Sequence, residues 1–339
     1  MRGAGSGQPA IEPDSDAVAT GRLAVTVVIC AYTLQRWERT KDAVASVLAQ
    51  KPAPAQLLLV IDHNLELAAL ARAELPDVTV LDSVGSPGLS DARNTGLKAA
   101  TQPVTAFLDD DATARSGWLA ALTEPYEKSE VAATGGDVQP LWPAARPDWL
   151  PPEYDWVVGC SYVGLPTVSA VVRNPIGANM SFRTQAAIDA GGFSGGIGRV
   201  GAVPRGCEET ELAIRVTARD NKSVVYVPDA AVDHHVGPER TRFGYFIRRC
   251  WHEGQSKAVV VDLVGAAAGL SRERRQAAVV IPAAIRRDLR SLMRGQLAGG
   301  KRIAAAIAGL GATAAGYFLG RLTRSRATRR VQPPGSQPA

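Results

Sequence analysis

Cysteine is scarce: there are four in 339 residues, Cys30, Cys160, Cys207 and Cys250, and no C-x-x-C pair among them. That spacing excludes a disulfide scaffold and a zinc ribbon, and sparse, unpatterned cysteine points to a reduced compartment. The stretch Met1–Leu23 holds Gly, Pro, Asp and Ser but no apolar core segment. No signal peptide is expected there, so the stretch is read as disordered and the body as cytoplasmic. Acidic residues are almost missing from the last hundred. Residues 240–339 carry 19 Lys+Arg against 4 Asp+Glu, whereas residues 1–239 carry 19 against 29. The result is an acidic body with a basic tail that suits an anionic partner, phospholipid headgroups or nucleic acid. Aromatic residues barely interleave the tail's arginines, which argues against base stacking, so no nucleic-acid partner is expected. The 46% hydrophobic fraction is ordinary for a globular protein and allows a sizeable core.

From Val25 the pattern alternates. Val25–Ala31, Leu57–Ile61, Val78–Leu81 and Val104–Leu108 are short apolar runs, as in strands buried on both faces. Between them Arg39–Gln50, Leu65–Leu75 and Asp91–Ala100 carry helical spacing. This order predicts an α/β fold with a mostly parallel, doubly wound sheet, whose ligands bind outside the carboxyl ends of the strands. Polar residues stand at those ends: Tyr32, Asp62 and Asp109-Asp110-Asp111. Gln139–Pro175, with Trp142, Trp149 and Trp156, reads as a long irregular excursion of the kind that forms lids and binding loops. Ile176–Phe182 is expected as a strand and Glu208–Arg219 as a helix after a Gly-rich segment. Val224–Val227 and Ala230–Val232 are expected as late edge strands.

Three adjacent aspartates at a strand end repel one another by about 1–4 kcal/mol per close pair at surface dielectrics. A divalent cation would relieve that repulsion, and carboxylates are the ligands that Mg²⁺ or Mn²⁺ prefers; an acidic polar turn is the simpler alternative. Glu208-Glu209-Thr210-Glu211 opens a helix, where carboxylates suit the macrodipole, or where one serves as a general base. His234-His235 offers a metal ligand or a structural imidazole. Arg93 and Asn94 either reach a diphosphate or bridge locally.

In order and spacing, Val27–Tyr32, Val60-Ile-Asp62, Gly88–Gly96, Phe107–Asp111, Asn179–Arg183, Gly191-Gly-Phe193 and Glu208–Leu212 resemble the motifs of glycosyltransferase family 2. The resemblance runs from about Val25 to Lys257 and implies a GT-A fold with an acceptor-side extension, followed here by a helical C-terminal tail. It implies an inverting transferase that uses Mg²⁺ or Mn²⁺ and a nucleotide-sugar donor, a UDP-sugar first among them. Its acceptor would be a glycan or lipid-linked. By the same resemblance Tyr32, Asp62, Arg93, Asp109 and Asp110 bind the nucleotide-sugar, and Asp111, Asp109 and His234 hold the metal. Glu209 falls where the family has its catalytic Asp, with Glu208 a rival base one position earlier. Asn179 and Trp156 fall on the acceptor side. The sequence departs from the family at Ile61-Asp62-His63-Asn64, where Asp-Asp-x-Ser is usual, and at Thr33, where Asn is usual.

The expected organisation is a disordered segment 1–23 and a transferase domain 24–258, divided into a donor half 24–137 and an acceptor half 138–258. A basic helical tail 259–330 and a disordered end 331–339 follow. Within the tail, Ile303–Gly320 has no formal charge over 18 residues. A packing helix, an interfacial helix and a single membrane span all fit that length, and flanking arginines suit anionic lipid at the inner face of the cell membrane. Two other functions fit parts of the pattern. A nucleotidyltransferase would need a Gly-rich phosphate loop with a Lys near the first strand, which is lacking. A non-catalytic nucleotide-sugar or glycan-binding module would keep the pocket without the base.

Overall fold

Apolar runs become the strands of one mixed sheet. In the computed structural model, which describes residues 23–195, 197 and 206–331, β1 (Val25–Ala31) is flanked by α1 (Trp37–Leu48) and β2 (Gln56–Ile61). The chain continues through α2 (Leu65–Glu74), β3 (Thr79–Asp82), α3 (Leu89–Ala99), β4 (Val104–Asp109), β5 (Ala112–Ala114) and α4 (Trp118–Thr123). Then follow β6 (Val131–Leu141), β7 (Ala170–Val172), β8 (Asn179–Arg183), α5 (Thr184–Asp189), α6 (Glu208–Asp220) and β9 (Ser223–His235). Three long helices close the chain: α7 (Phe243–Val264), α8 (Ile281–Met293) and α9 (Leu297–Val331). Of the segments 1–23 and 331–339, expected as disordered, all but Leu23 and Val331 lie outside the described residues, as do part of the Gly-rich segment and the side chains of Arg324, Arg326, Arg329 and Arg330.

The spatial order is β3-β2-β1-β4-β8-β6-β9-β5, with β7 also on β9. The first four strands are parallel. β8 is antiparallel to both β4 and β6, so the second half of the sheet is mixed. Alternation along each strand feeds two cores. Val27 and Ile29 pack with Ala43 and Val44 of α1 and Leu67 of α2 on one face. Val28, Leu58 and Phe107 pack with Leu97 of α3 and Leu212 of α6 on the other. Helices on both faces explain why these strands read as unbroken apolar runs. β9 is one long strand where two edge strands were expected, because Pro228 and Asp229 interrupt the apolar pattern without ending the pairing to β6.

The C-terminal helices fold back onto the excursion. Leu150, Tyr154, Phe246, Ile281, Ala305 and Ala306 form a further core, and the Tyr154 hydroxyl donates to the Ala306 carbonyl at 2.9 Å. α9 is long and apolar enough over Leu297–Thr323 to cross a membrane by length and composition. It nevertheless lies directly along α7. A Cβ at Gly254 would sit 2.0 Å from the Thr313 carbonyl oxygen, and one at Gly316 would sit 2.2 Å from that of Trp251. Its outer face leaves Ile307, Phe318, Leu319 and Leu322 exposed.

This close approach predicts that Gly254→Val destabilises the protein by about 1–3 kcal/mol through overpacking. Gly311→Ala, with open space around it, should be neutral or stabilising by up to ~1 kcal/mol. Urea unfolding of both variants checks the contrast, and equal stability of the two would contradict the packing.

Candidate functional site

The strand order reverses between β1 and β4, which opens a crevice at their carboxyl ends. Tyr32 follows β1 there, half-exposed, with the Arg36 guanidinium 5.6 Å from its ring centre. Asp62 follows β2, accepts the Gly88 amide at 2.9 Å and pairs with His63 at 2.7 Å. Together with Cys30, Asp109 and Asp110 these residues line a cavity of about 70 Å³. Through Arg36, Leu89 and Asp109 it adjoins a larger one of about 290 Å³.

Register, not local sequence, assembles the acidic cluster. β5 pairs antiparallel with β9, with Ala112 opposite His234, and the His235 amide bonds the Asp111 carbonyl at 2.8 Å. This pairing brings His234 Nε2 to 3.1 Å from Asp111 Oδ1. Arg36 reaches Asp110 at 2.8 Å and Asp111 at 3.1 Å, and Arg240 reaches Asp111 at 3.4 Å. Protein cations thus already meet the carboxylate repulsion that the sequence left open. Burial alone would raise the Asp111 carboxyl, yet His234, Arg240 and Arg36 hold it well below its usual range. Burial lowers His234, but Asp111 outweighs it and lifts the imidazole to about 10. Asp110 goes the other way: burial and Asp111 push it up to about 7 against Arg36, and its Oδ2 is buried without a hydrogen-bond partner among the described residues.

Asp109, Asp111 and His234 each offer one ligand atom, all within 4.8 Å of one another. The donor chemistry fits a divalent cation, and one imidazole beside two carboxylates suits a first-row ion such as Mn²⁺ better than Mg²⁺, which favours all-oxygen sets. Such an ion would displace the imidazolium proton.

Across the cavity, α6 begins with Cys207 in the left-handed region, at φ 82°, followed by the two glutamates. Arg93 of α3, 2% exposed, donates to Glu208 at 2.8 Å, to Asp109 at 3.0 Å and to the Gly177 carbonyl at 2.9 Å. Glu208 is therefore buried and engaged, but its second oxygen has no hydrogen-bond partner among the described residues. Burial and Glu209 raise its carboxyl to about 7 against the pull of Arg93. Glu209 is half-buried and also lines the cavity, where its Oε1 accepts the Thr210 hydroxyl at 2.9 Å.

On the acceptor side the two expected residues part company. Trp156 lines the larger cavity, with the Arg249 guanidinium 5.5 Å from its ring centre. Asn179 does not. It is fully buried in the sheet, where it accepts the Trp118 indole N–H at 2.8 Å and donates to the carbonyls of Asp137 and Ala230 at 2.9 and 2.7 Å. All of its side-chain hydrogen bonds join β8 to β6, β9 and α4, so its expected acceptor-side place is corrected to a cross-link inside the fold. Trp149 packs edge-on against Phe243 and Phe246. Arg36 and Arg240 were missed because isolated arginines in short loops carry no spacing signal. Leu310 and Thr313 of α9, which also line the cavity, were missed because the tail has no motif.

Residues 26–187 match the sequence pattern of Glycosyl transferase family 2. A glucosyl-dolichyl phosphate glucuronosyltransferase of Haloferax volcanii is 34% identical over 242 residues, 70% of this chain and 77% of that protein. The fold resembles that of the Pyrobaculum calidifontis mannosyltransferase PcManGT in complex with GDP-Man and Mn²⁺ (TM-score 0.53, 18% identity, 93% of this chain and 82% of that one). It also resembles GalNAc-T7 with UDP, GalNAc and Mn²⁺ (TM-score 0.51, 17% identity, 75% of this chain), of which the chain spans about half, 54%. These two likenesses establish the GT-A fold. With a relative one third identical over most of both chains, and the same motifs gathered at the strand ends, the chain belongs to glycosyltransferase family 2 and is a glycosyltransferase.

Proposed function

We propose that the protein is a metal-dependent, inverting glycosyltransferase. It would move a sugar from a nucleotide-diphosphate sugar, first a UDP-sugar, to a hydroxyl of a lipid-linked or envelope-glycan acceptor at the cytoplasmic face of a membrane. The observation that carries this reading is the meeting in one cavity of the Asp109–Asp111–His234 donor set and the half-buried Glu209, with Arg93 linking the two sides.

Tyr32, Asp62 and Asp110 would hold the base and ribose in the smaller cavity. Asp109, Asp111 and His234 would hold Mn²⁺ or Mg²⁺, which when bound stabilises charge on the leaving diphosphate as a Lewis acid. Arg93 keeps the Asp109 carboxylate oriented toward that position. Glu209 would take the proton of the acceptor hydroxyl, which is far too weak an acid to ionise alone. Glu208, held by Arg93, would position it. One carboxylate behind the anomeric carbon gives direct displacement and hence inversion.

The name of the Haloferax relative supports a lipid-linked acceptor. The exposed apolar face of α9, beside exposed Arg286, Arg290 and Arg294 of α8 and its C-terminal end, supports an interfacial contact with anionic lipid. The packing of α9 on α7 favours that contact over a free span. We take 24–258 as the transferase unit, with the tail completing its acceptor side.

Thermal unfolding with UDP, GDP, dTDP and CMP, each with and without Mn²⁺, tests the donor site. A nucleotide at 100 times its Kd should stabilise by about 2.7 kcal/mol, in a metal-dependent manner that Asp111→Asn abolishes. No shift with any nucleotide in the folded protein would overturn the donor assignment. Glu209→Gln should lower kcat at least ~100-fold while leaving that shift intact. Unchanged turnover would remove Glu209 from the base role. The raised Glu208 carboxyl means that the folded state binds its proton more tightly than the unfolded chain. Its contribution to stability is full below the unfolded value, near 4.5, and is lost as pH rises through about 7. Glu208→Gln should therefore lose less stability than wild type between pH 5 and 8 in urea titrations, and an identical slope would contradict the assignment.

A further inference from the structure

Charge divides the larger cavity into two unlike walls. At the donor end the carboxylates of Asp109, Asp111, Glu208 and Glu209 are matched one for one by Arg36, Arg93, Arg240 and the imidazolium of His234. On the other wall cations are in excess: among the described residues Arg173, Arg249, Lys257 and Arg272 face only Glu253 and Glu273. Lys257 Nζ lies 2.9 Å from Glu273 and 3.3 Å from Glu253. Arg249 reaches Glu253 at 2.7 Å, and Arg173 forks onto Glu273 at 2.6 and 2.9 Å. Both glutamates are ionised at neutral pH. Burial opposes this, but Lys257 and Arg249 hold Glu253 at about 2, and Lys257 and Arg173 hold Glu273 well below its usual range. The wall therefore keeps two positive charges that no carboxylate on it cancels.

Arg272 is the cation left over. Its guanidinium stacks on the Tyr162 ring at 4.9 Å and makes no ion pair or hydrogen bond with any described residue. Contact with the ring holds the group without engaging its N–H donors, which suit the oxygens of a phosphate. Apolar surface from Trp156, Ile281 and Leu310 lines the same cavity. Lys257, Arg272 and Leu310 lie outside the family-matched stretch 26–187, while Trp156, Tyr162 and Arg173 lie within it.

We propose that this wall binds a phosphate joined to an apolar chain, the phosphate of a lipid-linked acceptor, and that Arg272 is a direct ligand of that phosphate. The inference rests on the lipid-linked acceptor reading and adds to it the residues that recognise the acceptor. A phosphate neutralises the uncompensated charge of a partly buried wall, which an uncharged glycan cannot do. The chain beyond the phosphate is covered by the apolar lining.

The test is the binding of farnesyl phosphate, farnesol and inorganic phosphate to the full chain, followed by tryptophan fluorescence, in wild type, Arg272→Gln and Arg272→Lys. UDP and GDP binding with Mn²⁺ is measured on the same preparations. Farnesyl phosphate should bind about tenfold or more tighter than either farnesol or inorganic phosphate. Arg272→Gln should weaken it about tenfold, as expected for loss of a charge-assisted hydrogen bond, and Arg272→Lys should weaken it less. Nucleotide binding should be the same in all three proteins. Equal binding of farnesol and farnesyl phosphate, inorganic phosphate binding as tightly as farnesyl phosphate, or indifference to Arg272→Gln would each overturn the phosphate wall. If nucleotide still binds in that case, the phosphate wall alone has failed; loss of both would overturn the transfer reading beneath it.

Discussion

One buried guanidinium holds the site together. Arg93 comes from the helix between β3 and β4, yet its partners are Asp109 at the end of β4, the Gly177 carbonyl before β8 and Glu208 at the start of α6. Those segments are separated by up to 115 positions in the chain. Taking a charge out of water costs several kcal/mol unless its donors are satisfied. Here two carboxylates and a carbonyl accept three of its five N–H groups, and removing any one leaves a buried charge or donor with a weaker partner set. Arg93 thereby fixes the distance between Asp109 on one side of the cavity and Glu208 on the other. In the proposed reaction that separation sets whether direct displacement is geometrically open.

The rest of the site follows from how the cavity is closed. The β5–β9 pairing delivers His234 to Asp111, and Arg240, five residues after β9, reaches the same carboxylate. The C-terminal helices supply the far wall, since α7 carries Arg249 and Lys257 while α9 carries Leu310. The basic tail is thus two things at once. Its inward cations and apolar groups line the cavity, and its outward apolar face and arginines meet the surroundings. A helix with the length and composition of a membrane span lies against α7, because Gly254 and Gly316 let the two backbones approach.

Much of the donor half was legible because strands buried on both faces must be apolar throughout, as in Val25–Ala31 and Leu57–Ile61, and because polar residues at their ends have few structural reasons to be there. Asp62, Arg93, the Asp109–Asp111 run, Glu208, Glu209 and His234 all stand around the two cavities. What could not be read depends on register and on long-range approach. Asn179 has the same polar character as a ligand-binding residue, and only its position opposite Leu108, deep in the sheet, shows it spent on Trp118, Asp137 and Ala230. Arg36 and Arg240 acquire meaning only once both meet Asp111. β9 was divided in two because Pro228 and Asp229 break the pattern but not the ladder.

The dependence of the site on Arg93 is tested most directly by a double-mutant cycle between Arg93→Met and Glu208→Gln, read as unfolding free energy in urea at pH 8. The account predicts a coupling of about 0.5–3 kcal/mol, with the double variant less destabilised than the sum of the singles, because removing both partners leaves neither stranded. Additivity within about 0.3–0.5 kcal/mol would contradict it. The two sides of the cavity would then be held apart by packing alone.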